Sequence, residues 1–95
     1  MNNNYETIFV LDAALSEEEI TALQEKFTAL IAENGELGEV EVWGKRRLAY
    51  PINYKTEGYY VLVNFASNPD FPKELDRVYG ITEGVLRTII VRKED

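Results

Sequence analysis

Apolar residues recur along this chain with two periods, and their succession predicts strand, helix, strand, strand, helix, strand. Residues 5–11 are rich in aromatic and β-branched types, and alternation separates Thr7, Phe9 and Leu11 from Glu6, Ile8 and Val10. Both sets are partly apolar, which places this strand at the centre of a sheet. Ser16-Glu17-Glu18-Glu19 fits a capping box, with Leu15 and Ile20 as the flanking hydrophobic staple. The helix that follows carries Ile20, Leu23, Phe27, Leu30 and Ile31 on one stripe, the spacing of a core-facing surface. Gly35 beside Asn34 predicts a left-handed stop. Its first-turn glutamates complement the helix dipole, so a structural role explains them.

Residues 37–48 read as a long second strand, irregular at Gly38 and Gly44 and ended or edged by Pro51. A turn is expected within Asn53 to Gly58. The third strand then covers 59–65, where Tyr59, Val61, Val63 and Phe65 alternate with Tyr60, Leu62 and Asn64, so a long basic hairpin projects from the sheet. Asn68-Pro69-Asp70-Phe71-Pro72 predicts a loop entering a second helix, with Asp70 as N-cap and Pro72 in the first turn. Leu75, Val78 and Tyr79 give that helix its inward face, and Gly80 ends it. Residues 85–92 form the last strand, alternating Leu86, Thr88 and Ile90 with Arg87, Ile89 and Val91.

A βαββαβ order with right-handed crossovers gives an α+β, ferredoxin-like sandwich: a four-stranded antiparallel sheet with both helices on one face, over one domain of residues 1–95. Period 2 alone permits either choice of inward face. Turning Thr7, Phe9, Leu11, Tyr59, Val61, Val63, Phe65, Leu86 and Ile90 to the helices puts the larger residues inside. The open face then carries Ile8, Val10, Tyr60, Leu62, Ile89 and Val91, with Arg87 among them. Either choice leaves large apolar residues facing water, the mark of an interaction surface, and docking of a partner protein on these six is the expectation.

Composition removes most enzyme chemistry. A chain of 95 residues makes one small domain, which at this size buries roughly 60 to 65% of its unfolded surface. It has no cysteine and no histidine, which excludes disulfides, thiolate and imidazole metal ligands, cysteine nucleophiles and histidine-dependent triads. No catalytic residue, metal site or cofactor is predicted. The start, Met1-Asn2-Asn3-Asn4, lacks the regions of a signal peptide, and no apolar run reaches the roughly 18 residues of a membrane span. A cytoplasmic protein with no membrane partner and no small-molecule substrate is expected.

Charge changes the picture most. Lys45-Arg46-Arg47 puts three consecutive cations into a chain of net charge −7. Lysine and arginine neutralise phosphates and release counterions, and arginine adds a fork that grips phosphate through two hydrogen bonds. The plainer alternative is a solvated basic turn. The acidic balance argues against a protein that binds nucleic acid alone over a broad surface. Segregation answers the objection: acids gather at Glu17 to Glu19, Glu25, Glu33, Glu36, Glu39 and Glu41, and cations at Lys45 to Arg47, Arg87, Arg92 and Lys93. A basic partner that carries part of the phosphate contact also answers it. If nucleic acid is met, contact is expected to be directed to phosphate and shape, through Lys45, Arg46 and Arg47 on the hairpin and Arg87 and Arg92 on the last strand as a second cluster, with Tyr50 stacking or hydrogen bonding. Against these stand terminal solvated charge for Arg92 and hairpin shaping for Tyr50. Trp43 packs under the hairpin or meets the partner, and both remain open. Base stacking of the RNA-recognition type fits poorly, because Glu57 to Asn64 lacks the leading cation, the small residue and the later aromatics of that pattern.

The stretch Trp43-Gly44-Lys45-Arg46-Arg47-Leu48-Ala49-Tyr50-Pro51-Ile52, with Glu57 to Phe65 after it and Tyr5 to Leu11 before it, closely resembles the protein six family of the bacterial small ribosomal subunit. The resemblance spans essentially the whole chain, and Gly44 to Ile52 is its most specific part. It implies a ferredoxin-like domain without catalytic activity that binds 16S ribosomal RNA jointly with the small basic ribosomal protein eighteen. Arg46 and Arg47 lie at motif positions of the family. Asn2 and Asn3 stand where some members place cations, which weakens the expectation of an N-terminal RNA contact. The chain stops at Asp95, so no partner contact through a C-terminal extension is expected. The competing reading is a ligand-sensing or acyl-phosphate-hydrolysing domain, which needs an arginine in a glycine-rich loop after the first strand. That segment is Asp12-Ala13-Ala14-Leu15. Homodimerisation through the open face or an edge strand, with no nucleic acid, is a third possibility.

Overall fold

Six elements follow one another as β1 (Asn3–Asp12), α1 (Glu17–Asn34), β2 (Gly35–Ile52), β3 (Lys55–Ser67), α2 (Phe71–Ile81) and β4 (Val85–Lys93). They come from a computed structural model that describes residues 2–52 and 55–93. The strands form one antiparallel sheet in the order β2-β3-β1-β4. β1 lies inside it, as its two-sided apolar pattern requires. The odd-numbered residues Tyr5, Phe9 and Leu11 of β1 and Val61, Val63 and Phe65 of β3 pack with Ile20, Phe27 and Ile31 of α1 and Phe71, Leu75 and Tyr79 of α2. Both helices therefore cover one face. Phe9, Phe27 and Tyr79 meet at ring-centroid distances of 5.1, 4.8 and 5.7 Å and join β1 to both helices.

The capping box is formed: the Glu19 amide donates to Ser16 Oγ, and the Ser16 amide donates to Glu19 Oε1, each at 3.2 Å. All five stripe residues of α1 reach the core. Four expectations need correction. Gly35 is not left-handed; its φ of −172° is extended, and it opens β2 directly. Its glycine is required by close approach, since a Cβ there would lie 2.2 Å from the Ala66 carbonyl oxygen. Asp70 makes no side-chain cap. Asn68 Oδ1 instead accepts from the amides of Asp70 and Phe71, both at 3.0 Å. Gly80 does not end α2, which runs on to Ile81 and closes at Thr82, whose hydroxyl donates to the Val78 carbonyl. On β4, the register shifts opposite Val10 and Leu11, so Val85 rather than Leu86 packs against the core.

The hairpin strands are longer than periodicity suggests. Register shifts after Leu37, Val42 and Arg47 let β2 run over its bulges, and Gly44 takes a positive φ of 77°. Pro51 lies near the end of β2, an edge strand with no neighbour on its outer side to miss the amide. Of the expected turn, Asn53 and Tyr54 lie outside the described residues. Lys55 to Gly58 are already strand, opposite Ile52, Arg47 and Arg46.

Candidate functional site: an open sheet face beneath a basic hairpin

Cross-strand register sets the composition of the face that the helices leave open. Glu6 stands opposite Asn64 and Val91, Ile8 opposite Leu62 and Ile89, and Val10 opposite Tyr60 and Arg87. The inward and outward choice made from sequence is the one adopted, except at Leu86. The six proposed docking residues share this face, but to different depths. Ile89 and Val91 are exposed at 41% and 49%, Ile8 and Tyr60 are half-buried, and Val10 and Leu62 are buried within the chain itself. Trp43 joins them from β2, stacked on Tyr60 with ring centroids 6.2 Å apart and planes 16° from parallel.

Val10 is buried because the hairpin returns across the face. A Cβ at Gly58 would sit 2.3 Å from Val10 Cγ1 and 3.2 Å from Leu48 Cδ2, so the absent side chain leaves the space through which Leu48 covers this row. Further along β2, the Tyr50 ring lies under the Arg87 guanidinium of β4, at 5.8 Å. The sequence reading did not anticipate that Leu48 and Gly58 close the row. A glycine at the head of an apolar strand is the signal that could have found it, since it marks close approach.

The candidate cations lie on the hairpin and at two separate places along β4. Lys45, Arg46 and Arg47 stand opposite Tyr59, Gly58 and Glu57. Alternation puts Arg46 on the side of Leu48, with Lys45 and Arg47 on the other. All three side chains are exposed and make no hydrogen bond or ion pair among the described residues. Arg87 and Arg92 do not form one cluster. Arg87 is opposite Val10 on the open face, whereas Arg92 is opposite Tyr5, five positions away and on the helix side, where it donates to Asn3 Oδ1 at 3.3 Å. Lys93, opposite Asn4, belongs to the open face and donates to Asn64 Oδ1 at 2.9 Å. Where a phosphate-binding loop would follow β1, the Asp12 carboxylate instead accepts from the Ala14 amide and pairs with Lys55 at 3.3 Å. That geometry presents an anion to a would-be anion.

A family profile described as Ribosomal protein S6 matches residues 4–92. The small ribosomal subunit protein bS6 of Clostridium perfringens is 56% identical over 91 residues, covering 95% of this chain and 96% of that protein. The bS6 of Caldanaerobacter subterraneus is 56% identical over 93 residues, covering 97% and 98%. The crystal structure of 30S ribosomal protein S6 from Thermotoga maritima superposes with a TM-score of 0.92 at 29% identity, covering 98% of this chain and 89% of that one. The chain thus belongs to the ribosomal protein S6 family, a family of structural, non-enzymatic proteins of the small ribosomal subunit.

Proposed function

We propose that residues 1–95 work as one RNA-binding unit that enters the small ribosomal subunit in the cytoplasm together with the small basic ribosomal protein eighteen. The open face receives that protein through Ile89, Val91, Ile8, Tyr60 and Trp43, while Val10 and Leu62 support the surface from beneath. Lys45, Arg46 and Arg47 contact phosphates of 16S ribosomal RNA, with Arg87, Arg92 and Tyr50 as flanking contacts. One observation carries this reading: three exposed cations, without a hydrogen-bond or ion-pair partner among the described residues, sit on a hairpin that itself lies across an exposed apolar sheet face. A basic protein seated on that face brings its own cations next to the hairpin, which reconciles RNA binding with a net charge of −7.

The test is binding of a 16S ribosomal RNA fragment by the chain and the basic protein together, against each alone. Joint binding tighter than that of either protein supports the reading. Joint binding no tighter than the basic protein achieves alone sinks it. The acyl-phosphate alternative is disfavoured by the Asp12 carboxylate after β1.

A further inference from the structure

Glu6 is the acidic residue of the central strand on the open face, and it is half-buried among Ile8, Asn64 and Val91. Its carboxylate makes no hydrogen bond or ion pair among the described residues. The cation in the neighbouring position, Lys93, spends its contact on Asn64 Oδ1. Arg87 lies two rows away, over Tyr50. Glu36, opposite Ala66, and Glu41, opposite Leu62, also lie on this face, but both are exposed on the edge strand, where water solvates them.

Glu6 and Val91 are direct cross-strand neighbours, so a partner that covers Val91 and Ile89 removes water from Glu6 as well. An uncompensated carboxylate buried in that way opposes docking, because its lost hydration is not replaced. A partner bearing a lysine or arginine at this point turns the penalty into a selective contact. We propose that Glu6 is the residue by which the open face selects a cationic side chain of its protein partner, the apolar residues supplying area and Glu6 supplying discrimination. This rests on the partner-docking reading given above.

The test is calorimetric titration of the purified small basic ribosomal protein into the full chain, at low and high salt, for the unsubstituted protein, Glu6→Gln and Ile89→Asp. Glu6→Gln is expected to weaken binding roughly tenfold or more at both salt concentrations, since a covered charge pair is little screened and its loss acts on dissociation. The melting temperature of free Glu6→Gln should stay level or rise, since no internal partner is lost. Binding within twofold of the unsubstituted protein, or a clear fall in that melting temperature, overturns the role of Glu6 while leaving docking intact if Ile89→Asp still weakens binding. Unchanged binding by Ile89→Asp as well overturns the docking reading itself.

Discussion

The Arg87 guanidinium lies 5.8 Å from the centre of the Tyr50 ring, although one residue belongs to β4 and the other to the far end of the β2 hairpin strand. This contact crosses the sheet and ties the basic hairpin to the open face, so the two surfaces assigned to RNA and to a protein partner are physically continuous. Exposed cation–π pairs contribute only about 0.5 to 1 kcal/mol. Tyr50→Ala is therefore expected to lower stability by no more than about 1 kcal/mol. It should nevertheless raise amide exchange across 46–52. Hydrogen exchange followed by mass spectrometry checks this, and unchanged exchange there would show that Leu48 alone holds the hairpin down.

Gly58 controls the same closure. Alanine there places its Cβ 2.3 Å from Cγ1 of Val10, a β-branched side chain with little rotamer freedom. Gly58→Ala should cost about 1 to 3 kcal/mol by overpacking. Urea denaturation measures it, and a neutral result would mean that the hairpin lifts off the face without loss.

The depth of the docking residues gives a contrast within one face. Leu62 is buried, so Leu62→Asp puts a charge into packed surroundings and should destabilise the free chain strongly. Ile89 is 41% exposed, so Ile89→Asp should leave the melting temperature within a few degrees and act on partner binding. Similar melting temperatures for the two variants would contradict the described packing.

A buried polar link gives the stability its alkaline limit. Thr7 Oγ1 donates to the Ile89 carbonyl at 3.0 Å, so the Tyr79 hydroxyl is the donor in its own 3.0 Å bond to Thr7. Burial pushes the Tyr79 phenol well above the ordinary tyrosine range; Thr7 opposes the shift and Asp76 adds to it. A raised folded-state pKa contributes stability that is fully present below the unfolded value, about 10, and is lost as pH climbs beyond it. Tyr79→Phe should flatten this alkaline loss while lowering stability at neutral pH by about 1 kcal/mol. Thermal melts between neutral pH and the alkaline limit decide the matter, and equal alkaline slopes would show that Tyr79 does not set the alkaline loss.

Much of this molecule is legible in its sequence because local and global signals agree. The Ser16 to Glu19 capping box, the α1 stripe and the alternation of β1 and β3 each point to one packing, and the structure adopts it. Readings that fail do so where one residue type serves two physical ends. Gly35 and Gly80 resemble helix stops, yet Gly35 answers to the Ala66 carbonyl and Gly80 stays helical. Asp70 and Asn68 are equally good caps by composition, and only the loop path gives the role to Asn68. For the surface, the sequence shows which residues alternate outward but not how deeply they lie. Burial of Val10 depends on Leu48 arriving from β2, and the separation of Arg87 from Arg92 depends on counting five strand positions. Trp43 becomes part of the open face only through its stacking on Tyr60.

Contact of the hairpin cations with RNA phosphates is decided by a salt titration of RNA binding. The unsubstituted chain and the Arg46→Ala, Arg47→Ala double variant are compared, each with the small basic ribosomal protein present. Phosphate contact predicts weaker binding by the variant and a log–log salt slope smaller by roughly 0.7 to 0.9 for each phosphate released, with the melting temperature unchanged. The same affinity and the same slope for both proteins would contradict it.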